Sequence, residues 1–413
     1  MRKTLTFCSA VLVLASASLG ADWPQFGGPN RDASSAETGL ARSWPAGGPK
    51  VLWKVQVGKG YGGAAIQGGK VYILDRPDTR RDVLRCFDFA TGEEQWNYGY
   101  AAPGRLSHDG SRSTPAVDEK FVFTVGPFGH VHCLSKATRR PVWTKHVLKD
   151  YGGRLPKWGV AHSPMLYKDN AVIIAPQSKS AGAVALDRAT GKEIWRSGPT
   201  ISMHYVSPTL TTIGGVEQII LGGPGAAGVD ASSGKVLWKY SGWYCRITIP
   251  IVTALGDGRL FITGGYDAGS VMIKVTKADD GFAVKELFKT DECNSQMNGA
   301  IWYKGHLYAN SNSNSASDGM VCMNPEGKVL WKTGRRPNFQ RGHMLLADGM
   351  IFIIDGQAGS LHLMDPSPDG YKELAKAEGL LGGREIWAPL SLSDGKLVIR
   401  DQSKMLCLDV KAK

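Results

Sequence analysis

The sequence predicts an all-β protein, an eight-bladed β-propeller built from four-stranded antiparallel blades. Three observations predict this fold: a repeated hairpin, turn signals at a steady spacing, and an unequal number of the two kinds of turn. A unit that recurs every roughly 20–50 residues is typical of repeat architectures, in which each copy buries its apolar face against the next. The 52 glycines among 413 residues suit a chain with many tight turns.

The repeated hairpin is clearest at Ala183–Trp195, where apolar and small residues alternate, Thr190-Gly191 marks a turn, and Ile194-Trp195 begins a return strand. In four copies, eight residues separate the position of Asp187 from the tryptophan, and a fifth copy is one residue shorter. The other copies lie at 86–96, 133–143, 228–238 and 322–331.

A second set of turn signals predicts the inner hairpin of each blade. With the strands of a blade labelled A to D from the axis outward, these are the A–B turns, and β-rich alternating segments flank them. Their spacing of about 43–51 residues matches a four-stranded blade. The eight signals lie at 67–69, 118–119, 168–170, 214–215, 257–258, 304–305, 348–349 and 394–395.

The C–D turns number seven, one fewer than the A–B turns, because the last repeat stops at Met405–Val410 without a strand D. Val51-Leu52-Trp53 has the pattern of a strand D and no strand C before it. We therefore expect residues 51–57 to complete the eighth blade, so that residues 51–410 form a single closed domain. Closure removes an open sheet edge, which would otherwise invite aggregation.

An aromatic residue marks strand D in most blades, and we expect these rings to form the core between blades rather than an aromatic binding track. A buried side chain of this kind contributes roughly 1.5–3 kcal/mol. Phe288 takes the position in the fifth blade, and Leu374 is assigned to it in the seventh. The tryptophans are Trp53, Trp96, Trp143, Trp195, Trp238 and Trp331.

The first 20 residues resemble a secretory signal peptide, with Arg2-Lys3, an apolar stretch at Leu5–Leu14 and small residues before a cleavage site. Residues 21–50 are rich in Pro, Gly and Ser and predict an extended arm that wraps the body. The mature chain is expected to be exported, periplasmic or secreted, with no transmembrane span and as a monomer. The formal charge of +12 is scattered without a run of five basic residues, so no nucleic-acid partner is predicted.

The hairpin A-x-x-D-x-x-T-G-x-x-x-W resembles the pyrroloquinoline-quinone (PQQ) repeat, and the resemblance spans nearly the whole mature chain. Asp22–Arg31 (DWPQFGGPNR) also resembles the start of that superfamily. The resemblance implies a propeller and leaves two functional branches open. One is the quinoprotein dehydrogenases, which oxidise alcohols or sugars with PQQ and Ca²⁺, and the other is the non-catalytic branch of the outer-membrane assembly factor BamB.

In this family the ligand face consists of the segments before strand A and of the B–C loops. Arginines from several blades are candidates for carboxylate recognition and tryptophans for stacking, and PQQ, a planar tricarboxylate, would suit such a site. A polar funnel that merely solvates the channel, and a site for a protein or glycan partner, stay open as alternatives. The candidate residues are Arg112, His162, His204, Trp243, Arg246, Arg341, Arg384 and Trp387.

Cysteines and histidines give weaker signals. One repeat position holds cysteine in four copies and Ala or Gly in two others, as expected of buried free thiols. Cys245 and Cys293 precede strand A of adjacent blades and are a possible disulfide in an exported protein. The pair His130 and His132 on one strand face is either a partial metal site or a surface pair; no metal ligand set and no catalytic residue is assigned.

No cofactor is assigned, and PQQ with Ca²⁺ is kept as the alternative. Many PQQ-dependent alcohol dehydrogenases have two adjacent cysteines above the cofactor, and this sequence lacks both that pair and the C-x-x-C-H haem motif. Few carboxylates, Asp109 and Glu385 among them, precede a strand A, and no pair matches a motif of the dehydrogenases. The sequence thus favours a non-catalytic binding or scaffold protein of the cell envelope, with an envelope protein or glycan as partner. The alternative is a PQQ-dependent oxidoreductase acting on an alcohol or sugar.

Overall fold

The computed structural model describes residues 22–202, 205–313 and 317–413. The predicted signal peptide and the candidate His204 lie outside the described residues. No helix in the described ranges has the length and apolar character needed to cross a membrane.

The first half of the chain forms an N-terminal arm with two strands, then blades 1 to 4. The arm contains β1 (Ser34–Ser35) and β2 (Lys50–Gln56). Blade 1 has β3 (Ala65–Gln67), β4 (Lys70–Asp75), β5 (Arg81–Asp88) and β6 (Glu94–Ala101). Blade 2 has β7 (Ala116–Val117), β8 (Phe121–Val125), β9 (His130–Ser135) and β10 (Pro141–His146), followed by a short helix, α1 (Val147–Asp150). Blade 3 has β11 (Met165–Tyr167), β12 (Ala171–Ile174), β13 (Val184–Asp187) and β14 (Glu193–Arg196). Blade 4 has β15 (Thr209–Ile213), β16 (Val216–Gly223), β17 (Gly225–Asp230) and β18 (Val236–Tyr240).

The second half forms blades 5 to 8. Blade 5 has β19 (Thr253–Ala254), β20 (Arg259–Thr263), β21 (Ser270–Ala278) and β22 (Gly281–Thr290). Blade 6 has β23 (Ile301–Tyr303), β24 (His306–Asn312), β25 (Ser317–Met323) and β26 (Val329–Lys332). Blade 7 has β27 (Met344–Ala347), β28 (Met350–Ile354), β29 (Leu361–Asp365) and β30 (Lys372–Ala377). Blade 8 has β31 (Ser391–Ser393), β32 (Lys396–Arg400) and β33 (Lys404–Asp409).

The eighth sheet is completed by the N-terminal strand, in the order β31, β32, β33, β2. β2 pairs with β33 antiparallel, and Trp53 lies opposite Cys407. Each of the eight sheets in the described part of the chain thus has a strand at position D. The predicted eight-bladed propeller closed by residues 51–57 is confirmed.

A one-residue shift in register between strands C and D recurs in all eight sheets, just before the residue at the tryptophan position. Such a bulge bends the strand and re-aims the next side chain. In blade 7 the residue after the bulge is Ala375, which pairs with Leu363. The assignment of Leu374 to this position is therefore wrong by one residue, because Leu374 is the bulged residue itself.

The recurring hairpin pattern joins neighbouring blades through an aromatic ring and a glycine. The Trp53 indole lies against Gly92 of the next blade, where an added Cβ would come within 2.7 Å of the ring. Its Nε1–H donates a hydrogen bond of 2.9 Å to the carbonyl oxygen of Phe89. Gly92 has φ +76°, a region that glycine adopts without strain. The same close approach joins Trp143 to Gly191, Trp195 to Gly234, and Phe288 to Gly327.

The aspartate of the hairpin holds the C–D turn in the shape that presents this glycine. In blade 3 an Asp187 oxygen accepts hydrogen bonds from the backbone N–H groups of Ala189 (3.1 Å) and Thr190 (2.8 Å). It also accepts one from the Thr190 hydroxyl at 2.7 Å. An aspartate that bonds to the backbone ahead of it in this way stabilises a turn. Each residue of the pattern therefore has a structural role at a blade interface.

The cysteines of the repeat lie on strand C directly opposite the residue at the tryptophan position. Cys86, Cys133, Cys322 and Cys407 are all buried and unbridged. Cys245 and Cys293 are free thiols as well. The Cys245 Sγ donates toward the carbonyl oxygens of Ile247 (3.1 Å) and Gly265 (3.4 Å), so its hydrogen bonds are made within its own blade.

The first part of the N-terminal arm lies in the axial channel, and its later part runs along blades 7 and 8, where Leu40 bonds to Asp348 and Ala41 to Val410. Trp23 exchanges two backbone hydrogen bonds with Ile66 of strand A in blade 1, and Val117 of blade 2 donates to the Pro24 carbonyl. β1 then pairs parallel to β27, the innermost strand of blade 7. The arm therefore bonds to the inner strands of several blades and occupies part of the channel that closure leaves at the axis, where a cavity of about 390 Å³ remains beside it.

Arg31 fixes the arm inside the channel. Its side chain is 2% exposed and donates to the backbone carbonyl oxygens of Pro208 (2.8 Å), Pro164 (2.9 Å) and Ser163 (3.3 Å). Burial lowers the pKa of Arg31 to about 9, so the guanidinium stays charged at neutral pH. Pro164 and Pro208 lie just ahead of the strands A of blades 3 and 4, whose carbonyls have no partner strand on the axial side.

His130 and His132 pack against tyrosines of blade 1. The His132 ring is 4.0 Å from the Tyr100 ring and 6% exposed, so the expectation of a surface pair is wrong for this residue. His146 faces His130 with ring centroids 4.8 Å apart. Among the described residues, no group of three or more His, Cys, Asp or Glu is disposed to hold a metal ion.

We predict that Gly92→Ala destabilises the fold more than Gly68→Ala. Both glycines have positive φ, so both substitutions carry a backbone cost of roughly 1–2 kcal/mol. A Cβ at Gly68 meets open space, whereas a Cβ at Gly92 meets the Trp53 ring. The contact should therefore add about 1–3 kcal/mol of overpacking. Guanidinium unfolding followed by tryptophan fluorescence measures the free energy of unfolding of each variant. Equal losses of stability would contradict a packing role for the contact between Trp53 and Gly92.

We predict that the free energy of unfolding falls as the pH drops from about 6.5 toward 5. Burial lowers the pKa of both His130 and His132 to about 4, and in each case desolvation is the main cause. The unfolded chain takes up protons below about 6.5 that the folded chain does not, at about 1.4 kcal/mol per pH unit for each such histidine. His132→Phe keeps a ring between the tyrosines and should reduce the slope in pH-dependent unfolding curves. An unchanged slope would show that His132 takes up its proton in the folded state.

Candidate ligand-binding funnel

The segments that lead into the strands A meet at one end of the axis and line a cavity of about 350 Å³. We call this cavity the funnel. Phe26 of the N-terminal arm contributes to its lining, so the arm closes the channel beneath it. The remaining lining residues used below are Tyr61, His108, Arg112, Trp158, Tyr205, Tyr266, Gln296, Arg341, Glu385 and Trp387.

Aromatic side chains from five blades form the walls of the funnel. Tyr61 of blade 1 and Trp387 of blade 8 lie with ring centroids 5.7 Å apart. Trp158 of blade 3 and Tyr205 of blade 4 lie 5.6 Å apart. Tyr266 comes from the B–C loop of blade 5 and has φ +61°, a conformation that sets the direction in which the loop leaves the strand. The half-buried rings give the funnel an amphipathic lining.

Arginine side chains lie over three of these rings. The guanidinium carbon is 4.5 Å from the ring centroid in the pair Arg341–Trp387 and 5.6 Å in the pair Arg112–Tyr61. Arg112 also donates to the carbonyl oxygens of Gly110 and His108. Burial lowers the pKa of Arg112 to about 10 and also lowers that of Arg341, yet both remain charged at neutral pH. Cation–π contact thus holds two positive charges at the walls.

Glu385 is the one carboxylate among the described residues that line the funnel. One oxygen accepts the Tyr61 hydroxyl at 2.5 Å, and the other lies 3.0 Å from the His108 Nδ1. Desolvation, together with this hydrogen bond to Glu385, raises the pKa of Tyr61, so the phenol stays protonated. The carboxylate is therefore shared between two side chains from neighbouring segments.

A second cavity, of about 930 Å³, adjoins the funnel and shares Trp158, Tyr205, Ile247 and Tyr266 with it. Four exposed cations line it, and no carboxylate does so among the described residues. We call it the basic groove. Arg246 lies over the Tyr266 ring at 4.9 Å, where the two cavities meet. The four cations are Arg154, Lys157, Lys179 and Arg246.

The structure brings some of the sequence-predicted residues together and separates others. Arg112, Arg341 and Trp387 line the funnel, and Arg246 lines the groove. Arg384 is exposed and lies outside both linings.

Two of the candidates are buried in the interior. Trp243 is 5% exposed and donates its Nε1–H to the Ala268 carbonyl at 2.8 Å. His162 is fully buried, its Nε2 accepts the Ala175 N–H at 3.2 Å, and burial lowers its pKa to about 3. Both stabilise the blades that carry the funnel.

Sequence reasoning missed Phe26, Tyr266 and the lysines of the groove as ligand-site residues. The arm gave no sign that it enters the channel, and Lys157 and Lys179 lie in loops of unremarkable composition. Tyr266 follows Gly264-Gly265, and this flexible pair after a strand is the one local signal that could have pointed to it.

The PQQ resemblance implies two bound groups, PQQ and Ca²⁺. Calcium takes about 6–8 oxygen ligands, with carboxylates prominent among them. The donor set here is one carboxylate, already shared between Tyr61 and His108, among aromatic and cationic side chains. These residues do not fit a Ca²⁺ site, although the arginines are suited to carboxylate groups of an organic ligand.

A family model described as outer membrane protein assembly factor BamB matches residues 80–244. No curated protein sequence matches the chain significantly.

The fold is similar to solved structures of both functional branches. BamB from Moraxella catarrhalis has a TM-score of 0.60 at 12% identity, over 87% of this chain and 99% of that one. The quinohemoprotein alcohol dehydrogenase from Comamonas testosteroni has a TM-score of 0.64 at 12% identity, over 95% of this chain and 81% of that one. A europium-containing methanol dehydrogenase has a TM-score of 0.65 at 12% identity, over 92% and 89%.

At such identities the similarity to solved structures shows the fold alone. The hairpin pattern, the eight closed blades and the matching family model agree with one another. Residues 80–244 match the BamB family model, and the chain as a whole has the fold of the PQQ-repeat β-propellers.

Proposed function

We propose that this chain is an exported, non-catalytic binding protein of the cell envelope that holds its ligand or partner in the funnel. The observation that supports this most directly is the composition of the funnel wall. Aromatic rings and arginines from separate blades converge there, and such groups supply contact area and anion recognition. Its one carboxylate is already hydrogen-bonded to Tyr61.

The alternative is a PQQ-dependent oxidoreductase acting on an alcohol or sugar. Structures of both branches share the fold, so the choice depends on the site. A quinoprotein needs a carboxylate base together with oxygen ligands for Ca²⁺, and the funnel supplies too few for both. The arrangement of the funnel therefore favours binding.

Export and an envelope location are part of the proposal. They rest on the predicted signal peptide in residues 1–20. The matching family is described by an outer-membrane assembly factor, which makes an envelope protein a reasonable partner class, and a glycan is the other. A monomer with a single funnel would present one binding site per chain.

The proposal can be tested with residues 22–413 immobilised and exposed to envelope extract. We expect Arg246→Gln with Arg341→Gln to lose most of the retained material, because both guanidiniums border the ligand space. Arg335→Gln with Arg384→Gln removes the same charge from exposed positions outside both linings and should retain it. Equal retention by the two double variants, measured by quantitative mass spectrometry, would exclude the funnel as the site.

The same protein should be mixed with PQQ, Ca²⁺ and a redox dye in the presence of alcohols and sugars. We expect no dye reduction above the level seen with the Arg246→Gln, Arg341→Gln variant. Turnover that depends on PQQ and is lost in this variant would overturn the binding proposal in favour of the oxidoreductase.

A further inference from the structure

The basic groove has an unusual charge balance for a surface cavity. Its lining carries four cations, and none of them forms an ion pair within the described residues. Lys157 lies over the Trp158 ring with its Nζ 5.2 Å from the centroid, and Arg246 lies over Tyr266. Exposed cations without neighbouring acids raise the local concentration of anions.

The groove and the funnel form a continuous surface, because Trp158, Tyr205, Ile247 and Tyr266 line both. The funnel is closed below by Phe26, so a ligand enters it from the groove side or from the open end. A molecule that fills both cavities must therefore combine a compact end group with an extended part that carries negative charge.

The polar groups in the funnel suit hydroxyl groups. The Glu385 oxygens, which already contact Tyr61 and His108, each have a second lone pair that can accept, while Arg341 and Arg112 carry N–H groups, which donate. Gln296 lies beside them, and its Nε2 donates to the Tyr266 hydroxyl at 3.2 Å. A hydroxyl both donates and accepts, so a polyhydroxylated ring satisfies this interleaved set, and its C–H face packs on aromatic rings.

The funnel sets one carboxylate beside Arg112 and Arg341, whereas the groove has four cations and no carboxylate among the described residues. Charged groups of the ligand therefore belong in the groove, where cations are the only charged lining residues described. A chain of sugar rings that bears carboxylates or sulfates meets both requirements. A nucleic-acid strand meets the charge requirement, but its flat bases would need exposed ring faces on which to stack. Three of the rings already have an arginine over one face, which leaves less room for stacking.

We propose that the funnel and the basic groove together bind an acidic oligosaccharide, with a terminal sugar ring in the funnel and its carboxylate or sulfate groups along the groove. This inference rests on the proposed binding function and names the ligand class of the same site. Recognition is by hydroxyl contacts at Glu385 and by ionic contacts at Arg154, Lys157 and Lys179.

Isothermal titration of residues 22–413 with defined probes tests the inference. Short oligogalacturonates carry carboxylates, carrageenan oligosaccharides carry sulfates, and a maltooligosaccharide of equal length is the neutral control. We expect at least one acidic probe to bind about tenfold or more tightly than the neutral one, and to weaken as salt rises from about 50 to about 500 mM. Whichever acidic probe binds identifies the anionic group.

Variants separate the groove from the funnel. Lys157→Gln with Lys179→Gln should weaken the acidic probe about tenfold and reduce its salt dependence. Lys192→Gln with Lys285→Gln removes two exposed lysines that do not line the groove and should change affinity less than about twofold. Trp387→Ala should weaken binding while leaving the salt dependence unchanged, because it removes ring contact and no charge.

The inference is wrong if the neutral probe binds as well as the acidic ones, if oligothymidylate binds more tightly than either, or if both lysine pairs behave alike. If no saccharide binds while retention of material from the envelope extract still depends on Arg246 and Arg341, the binding function is supported and the saccharide ligand is excluded. Loss of that dependence removes the proposed function itself, whatever the titrations show.

Discussion

The contact between an aromatic ring on strand D and a glycine in the next blade is the interaction on which the rest of the structure depends. A blade is a twisted sheet with one apolar face toward each neighbour, and it cannot bury both faces alone. The ring of Trp53 or Trp143 reaches across the interface and packs against a turn in the next blade. The approach is so close that the turn residue must be glycine, because a Cβ would overlap the ring. The contact recurs at four of the blade interfaces in the described part of the chain, where it fixes how closely neighbouring blades approach.

Closing the circle creates a channel, and what fills that channel shapes the ligand site. The inner strands present carbonyl groups that lack a partner strand, and buried carbonyls without partners are costly. Arg31 satisfies three of them with one guanidinium, and β1 satisfies others along β27. The arm occupies part of the lower channel, and its Phe26 contributes to the lining of the funnel above.

The funnel shows how one fold supports different functions. The segments that lead into the strands A are free of the interface constraint, so their residues can vary without loss of the propeller. Here they carry aromatic rings and cations, and the adjoining basic groove adds four further cations. His162 lies outside the funnel lining, is buried with a lowered pKa, and serves packing. The rings and cations of the funnel and groove are the observations on which the proposed binding function rests.

The sequence by itself determined the architecture. The hairpin period, the turn residues and the missing eighth strand D are local or counting properties, and they specified the blade number and the pairing of residues 51–57 with the last strand. The exact register was not specified: Leu374 was assigned to the position that Ala375 occupies, because a bulge shifts the register by one residue and the alternating pattern alone does not reveal it.

Only the tertiary structure decided the course of the arm and the membership of the site. Arg31 bonds to residues more than 130 positions away, and Phe26 and Trp387 share a cavity although they lie at opposite ends of the chain. His162 and Arg384 illustrate the same limit, since both precede a strand A, yet one is buried and the other is exposed outside the funnel lining. Periodicity reports which face of its own strand a residue occupies, whereas a site at the axis depends on how loops from eight separate blades meet in space.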